Sequence, residues 1–327
     1  MSTFFVTGGT GFIGSHTVEH LLKDAHIVKC LVRPKNKNLK WLKNLPVEKV
    51  YGDIFDPPSY IKSLEGVDYI IHIAGITKAK KKKDYFRGNA RATKELLSAA
   101  CKFHNIKKFC FLSSLSVLGP SSDGTPFDEN APYNPITSYA QSKYEAEIIC
   151  KDFMDKTPIV ILRPPAVYGP RDSDILEIFK FLKYGIKPII GSEKKTLSLI
   201  HVFDLARGII QATISDKTAS QVYHIADPTI HVYANLLSYV ASLMQRKTVT
   251  IHIPAPILYT VSAITQSISY IKRKPAILNI EKARDLIQNH WVCSANKIQE
   301  EIGFKIKIPI QEGLKTTYEW YLQEGWL

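Results

Sequence analysis

Short apolar runs recur through the first half of the chain, at 3–7, 27–32, 47–51, 68–73, 107–112 and 158–162, separated by stretches with apolar residues every third or fourth position. Such runs read as buried strands, and the stretches between them as amphipathic helices. Their alternation predicts an α/β fold built on a Rossmann-type doubly wound parallel sheet, because parallel neighbours need a crossover helix. After Arg163 the regularity fades, and Pro164, Pro165, Gly169, Pro170, Gly185, Pro188 and Gly191 punctuate the chain. A smaller C-terminal α/β region is expected there. The most apolar long segment, 254–272 (PAPILYTVSAITQSISYIK), is too short and too polar to span a bilayer. It is expected as a helix packed on its own domain; the alternative is an interfacial helix making peripheral membrane contact, anchored by Lys272, Arg273 and Lys274.

Between the first strand and the first helix, Thr7 to Gly14 reads TGGTGFIG. A strand, a glycine turn and a helix in that order build a dinucleotide site. Gly8 and Gly9 permit the tight turn, Gly11 lets backbone approach a pyrophosphate, and Gly14 packs helix against strand. The helix N-terminus then holds the phosphates, which adds Thr10, Phe12 and Ile13 to the cofactor contacts.

An NAD-specific site usually has an acid at the end of the second strand, to accept from the ribose 2′-hydroxyl. Here that strand ends Leu31-Val32-Arg33. Arg33 and Lys35 could neutralise a 2′-phosphate, so NADP is the preferred cofactor and NAD the alternative. Arg33 could instead stack on adenine or face solvent. Asp53, followed by Ile54, ends the third strand, where a short acceptor could meet the adenine amino group. Ala74 and Gly75 are small where the backbone must pass close to a dinucleotide.

Tyr139 and Lys143 are four apart in a helical stretch and share a face. An ammonium beside a phenol favours phenolate, and a helix N-terminus pushes the same way, so tyrosine becomes a usable acid and base. Ser113 and Ser114 end the preceding strand, where a hydroxyl could bond the reacting oxygen or simply cap the strand.

The chain of 327 residues has a net charge of +13, open to nucleic acid, a membrane surface, an anionic ligand or plain solubility. The only dense basic run is Lys78, Lys80, Lys81, Lys82 and Lys83, and no aromatic-rich basic stripe accompanies it, which argues against nucleic acid. A solvated helix start is the expected reading, and attraction of an anionic substrate or lipid is the alternative. Five scattered cysteines without CxxC spacing, and histidines without HExxH, give no support for a disulfide framework or a metal site. The chain opens on a strand, so no signal peptide is expected and the cytoplasm is the expected compartment.

Taken together, these motifs resemble the extended short-chain dehydrogenase/reductases, the NAD-dependent epimerase/dehydratase-like family, over essentially the full length. The resemblance rests on TGGTGFIG, on Gly52-Asp53-Ile54, on Tyr139 and Lys143, and on Ser113-Ser114-Leu115-Ser116-Val117-Leu118-Gly119. It implies that Ser114 is the catalytic serine and that Ser116 lies near substrate. It also implies that the segment from Arg163 to Pro170 lines the nicotinamide, with Pro165 touching cofactor and Ala166 and Val167 facing substrate. Thr77, past the fourth strand, is a further substrate candidate. His201 to Ala206 matches the helix start after the substrate loop, and Asn89 and Thr93 match residues on the helix after the fourth strand.

Two departures bear on substrate. Sugar-nucleotide members usually have asparagine where Ala166 stands and an arginine near Leu197 and Ser198. A diphosphate losing that arginine forfeits a charge-assisted hydrogen bond of roughly 1.5–3 kcal/mol. The chain therefore looks closer to the 3β-hydroxysteroid dehydrogenase-like and dihydroflavonol reductase-like branch. The resemblance implies an oxidoreductase acting on a carbonyl or secondary alcohol of a fairly apolar small molecule. The alternative is a nucleotide-sugar 4-epimerase or dehydratase with bound NAD, and a third reading is a non-catalytic NADP-binding protein. Residues 1–165 with about 200–230 would bind the dinucleotide, and about 166–199 with 231–327 the substrate. Relatives often form homodimers through the helices that here hold 81–102 and 138–153.

Overall fold

The structure is a computed structural model and describes residues 1–36, 39–272 and 278–327. Arg273 and Lys274 lie outside the described residues. In chain order the first half runs β1 (Thr3–Thr7), α1 (Phe12–Lys23), β2 (Ile27–Val32), β3 (Glu48–Tyr51), β4 (Tyr69–His72), α2 (Lys82–Phe86), α3 (Ala92–Ala100), β5 (Lys108–Leu112), α4 (Ser138–Asp152) and β6 (Ile159–Arg163). It continues with β7 (Ala166–Tyr168), α5 (Ile175–Lys183), β8 (Ile186–Ile190), β9 (Thr196–Leu197), β10 (Leu199–His201), α6 (Val202–Ile214), β11 (Gln221–His224), β12 (His231–Val232) and α7 (Tyr233–Leu243). The last elements are β13 (Val249–Ile253), α8 (Ala255–Lys272), α9 (Ile280–Leu286), β14 (His290–Trp291), α10 (Asn296–Ile302) and α11 (Ile310–Gln323).

Seven strands form one parallel sheet in the order β11-β6-β5-β4-β1-β2-β3. Successive side chains go to opposite sides. Phe4, Val6, Cys110, Leu112, Val160 and Leu162 join Val18 and Leu21 of α1 and Leu205 and Ile209 of α6 on one face. Phe5, Phe109, Phe111, Ile159 and Ile161 join Leu96 and Leu97 of α3 and Ala146 and Cys150 of α4 on the other. Both faces are covered, which is why the strands are continuously apolar rather than alternating. Each such fully buried side chain contributes roughly 1.5–3 kcal/mol.

The sheet order reverses between β1 and β4, where Thr7 pairs with His72. That switch point opens a crevice at the carboxyl ends of the strands, the place where such sheets bind ligands. The seventh strand, β11, has no apolar run to announce it, since Gln221 and His224 bracket only Val222 and Tyr223. It pairs with β6 at the sheet edge.

Beyond β6 the chain builds small sheets, β7 with β10, β8 with β13, and β9 between β12 and β14. Around them lies a third apolar cluster that includes Tyr168, Phe179, Leu182, Leu237, Leu314 and Tyr321. Lys78 reaches Asp174 at 2.5 Å, while Lys81, Lys82 and Lys83 form the solvated start of α2. The helix α8 departs from the expectation of ordinary packing. It buries Leu258, Ser262 and Ser269 and leaves Ile257, Val261, Ile264 and Ile268 exposed. Among the described residues, no helix is long and apolar enough to cross a membrane.

Candidate active site

Gly8 sits at φ +81°, and a Cβ there would lie 2.6 Å from the Ala74 nitrogen. A Cβ on Gly14 would lie 2.1 Å from the Gly8 carbonyl oxygen. The two positions therefore exclude any side chain, one by conformation and contact, the other by contact alone. Gly9 differs from the turn role expected for it. It is not in the left-handed region, and its Cβ would meet Cys30 Sγ at 3.0 Å, so it serves packing of the turn on β2. Gly11 caps α1 in extended conformation (φ −88°, ψ 179°) without a side-chain cap, and no acidic residue occupies the first turn. The amides of Phe12, Ile13 and Gly14 thus project where a pyrophosphate fits. Thr10 accepts from Asn36 Nδ2 at 3.2 Å, which ties this loop to the turn after β2.

Arg33 and Lys35 lie exposed in that turn, and among the described residues neither forms an ion pair. Asp53 is exposed and uses Oδ1 to accept the Phe55 amide at 3.0 Å. Ile54 beside it is half-buried. The loop of Ala74 and Gly75 is held by buried Asn89: Oδ1 accepts the Ile76 amide at 2.7 Å, and Nδ2 donates to the Ile76 carbonyl at 3.1 Å and to Ser142 Oγ at 2.8 Å. Ser142 donates in turn to the Tyr139 carbonyl at 2.7 Å. Asn89 lies in a π-helical turn, Arg87–Arg91, between α2 and α3, a local widening of the kind found at functional sites.

A buried polar chain runs beneath this loop. Thr7 Oγ1 lies 2.6 Å from His72 Nδ1, His72 Nε2 lies 3.1 Å from Thr93 Oγ1, and Thr93 donates to the Asn89 carbonyl at 2.7 Å. Thr93's proton is committed to Asn89, so His72 must carry its hydrogen on Nε2 and accept from Thr7. Burial, with Lys143 nearby, holds His72 down to about 3 and so neutral.

Ser114 caps the turn Leu115–Leu118 and accepts from the Ser116 amide at 3.2 Å and from Ser116 Oγ at 2.9 Å. Tyr139 lies in the first turn of α4, its ring edge-on to Tyr85 at 6.4 Å. Burial pushes its phenol up to about 12, and the neighbouring Ser114 hydroxyl pulls it down in part. Lys143, one turn on, is buried, with Nζ donating to the Leu112 carbonyl at 2.6 Å and lying 4.3 Å from the Phe111 ring centre. Burial pulls its ammonium down to about 8. The expected depression of Tyr139 by Lys143 is therefore not what these side chains produce. Desolvation sets the direction, and the Ser114 hydroxyl is the neighbour that opposes it.

Ser113 does not share the site. Its hydroxyl donates to Glu147 at 2.5 Å, and Glu147 forms a buried bidentate pair with Arg163, Nη2 to Oε2 at 2.8 Å and Nε to Oε1 at 3.0 Å. Tyr133 closes the group by donating to Glu147 at 2.7 Å. Glu147 belongs to no motif in the sequence, though Tyr139, Lys143 and Glu147 continue one spacing of four along the inner face of α4. Also unforeseen are Glu281, which accepts from the Ser138 amide at 3.1 Å, and buried Lys195, which donates to the Leu286 carbonyl and is pulled down to about 8 by burial.

Of the substrate candidates, Thr77 lies exposed in the bend after β4, Ser116 is half-buried against Ser114, and Ala166 and Val167 lie in β7 after Pro165. Ser198, near the position of the missing arginine, is buried and accepts the Cys293 amide at 3.0 Å, so it is structural. Leu197 beside it is half-buried.

The profile of the NAD dependent epimerase/dehydratase family matches residues 4–226. The ceramide reductase of Caulobacter vibrioides is 28% identical over 98% of this chain and 95% of its own length. An uncharacterized UDP-glucose epimerase of Bacillus subtilis is 31% identical over 76% of this chain and 83% of its own. The crystal structure of UDP-glucuronic acid 4-epimerase from Bacillus cereus, in complex with UDP-glucuronic acid and NAD, shares the fold with a TM-score of 0.78 at 22% identity, covering 98% of this chain and 99% of that one. With the glycine turn, the switch-point crevice and the Ser114, Tyr139 and Lys143 cluster in place, this chain is an enzyme of the NAD dependent epimerase/dehydratase family, the extended short-chain dehydrogenase/reductases.

Proposed function

We propose that the enzyme is an NADP-preferring oxidoreductase acting on a carbonyl or secondary alcohol of a fairly apolar substrate. The observation that carries this reading is the meeting of Ser114 with Tyr139, in a chain that has Ala166 and Leu197 at positions where relatives acting on sugar nucleotides carry polar side chains. Residues 1–165 with about 200–230 would hold the dinucleotide, Gly8 to Gly14 at its phosphates, Asp53 at adenine, and Arg33 with Lys35 at the 2′-phosphate. About 166–199 with 231–327 would hold the substrate.

Bound nicotinamide supplies the hydride donor and acceptor. Tyr139, kept protonated by burial, gives its phenolic proton to the substrate oxygen during reduction and takes it back during oxidation. Ser114 donates to the same oxygen and fixes its position. Lys143 holds positive charge one turn below the phenol and would hold the ribose. Thr77, Ser116, Ala166 and Val167 face the substrate, and none of them carries a positive charge to offset a diphosphate's. The UDP-glucose epimerase among the relatives supports a rival reading, a nucleotide-sugar 4-epimerase with bound NAD. Following the absorbance of reduced nicotinamide with ring ketones and with UDP-sugars separates the two, because only the oxidoreductase consumes cofactor.

A further inference from the structure

The helix α8 is turned the wrong way round for a helix in water. Among the described side chains, its buried stripe contains Ser262, 0% exposed, and Ser269, 8% exposed, beside one large apolar residue, Leu258. The stripe facing outward is Ile257 at 56%, Val261 at 43%, Ile264 at 54% and Ile268 at 43% exposure. Positions 257, 261, 264 and 268 fall on one narrow line of an α-helix, so the exposed groups form a continuous ridge. Large contiguous apolar surface on a folded chain marks something that covers it.

Exposed apolar side chains also occur on the strand that precedes the helix. Strand β13 leads directly into α8 and exposes Val249 at 71% and Ile251 at 44%, two residues apart and on one side of the strand. The Val249 amide donates to the Gly185 carbonyl at 2.8 Å, which sets Val249 beside Tyr184, itself 78% exposed. Charge decides what fits. Exposed Lys183, Arg246 and Lys247 flank this end of the surface, and α8 contains no acidic residue. Glu193 pairs with His252 of β13 at 3.3 Å. An apolar ridge flanked by cations complements an anionic lipid surface, into whose interface such a helix sinks without spanning it.

We propose that α8 and β13 dock this protein on an anionic lipid bilayer, which places the site where an apolar substrate partitions; the second half of this statement rests on the proposed function above. The docking face is joined to the site through α9. Thr265 of α8 donates to the Leu278 carbonyl at 2.5 Å, and Gln266 accepts the Ile280 amide at 3.2 Å. From α9, Glu281 accepts the amide of Ser138 at 3.1 Å and its hydroxyl at 2.5 Å, and Ser138 immediately precedes Tyr139.

Co-sedimentation of the full chain with phosphatidylcholine vesicles and with mixed phosphatidylcholine and phosphatidylglycerol vesicles tests this. The wild type binds the mixed vesicles. The combined variant Ile257→Ser, Ile264→Ser, Ile268→Ser binds them about 100-fold more weakly while its turnover of a water-soluble ketone is unchanged. Replacing Lys183, Arg246 and Lys247 by Gln weakens binding about five-fold per cation removed. Absence of vesicle binding, or binding indifferent to the isoleucine substitutions, overturns the proposal. So does a dimer that those substitutions convert to monomer, which would assign the ridge to a second copy of the chain. A protein inert towards every ketone that still binds vesicles through α8 would uphold docking and end the apolar-carbonyl reading instead.

Discussion

Lys143 Nζ donates to the Leu112 carbonyl at 2.6 Å, so one buried ammonium joins the helix that bears Tyr139 to the strand end that leads to Ser114. The two side chains of α4 are therefore separable by mutation. Tyr139→Phe removes proton transfer alone, and turnover should fall by roughly 10²- to 10⁴-fold with NADPH affinity nearly intact. Lys143→Met also unpairs the Leu112 carbonyl and should damage both. Steady-state kinetics beside a fluorescence titration of NADPH checks this, and near-normal turnover in Tyr139→Phe would refute the assignment.

Arg33 and Lys35 stand exposed at the end of β2, where no carboxylate competes for a ribose. Arg33→Ala should cut the preference for NADPH over NADH by roughly 10- to 150-fold, the equivalent of about 1.5–3 kcal/mol. Dissociation constants for both cofactors decide it. Equal affinities in the unmutated enzyme would remove the basis for an NADP preference.

The Glu147 and Arg163 pair is buried without solvent to screen either charge, at 0% and 2% side-chain exposure. Arg163→Met strands the carboxylate and should cost about 3–5 kcal/mol of stability, whereas Arg163→Met with Glu147→Leu should recover much of it. Urea denaturation of both variants reads this directly. A single variant within about 1 kcal/mol of wild type would show that the pair is not what fixes α4 to β6.

Acid should destabilise the fold well before its ordinary carboxylates titrate. Burial lowers His72 from 6.5 to about 3, and His201 and His224 from 6.5 to about 4. Between those values the unfolded chain binds protons that the fold refuses, so stability falls as pH drops through that window, by about 1.4 kcal/mol per unit for each net proton. Asp172, raised to about 6 by burial, takes up a proton in the fold and offsets part of the loss. Urea midpoints measured from about pH 7 to about pH 5 should decrease. A constant or rising midpoint would contradict the neutral, buried state of these rings.

The main sheet was legible in the sequence because both its faces are buried, which makes strands such as Phe109 to Leu112 uniformly apolar. The glycine turn was legible because contact with Ala74 and Gly8 forbids side chains. What stayed hidden depends on long-range meetings: Ser113 with Glu147 across 34 residues, and Ser138 with Glu281 across 143. Polar residues at such separations give no periodic signal. The edge strand β11 was missed because only Val222 and Tyr223 mark it. The sequence leaves both a packed and an interfacial α8 open, because apolar residues at helical spacing fix which side is apolar but not which side is buried.

Net hydride transfer to an apolar carbonyl separates an oxidoreductase from an epimerase at this site. It is tested most directly by incubating the enzyme with NADPH and either a ring ketone or UDP-glucose, following nicotinamide absorbance while the products are resolved by chromatography. NADPH should be lost stoichiometrically with the ketone, a loss abolished in Tyr139→Phe, and should not be lost with UDP-glucose. Interconversion of the UDP-sugar without net cofactor consumption, together with inertness towards ketones, would contradict net hydride transfer.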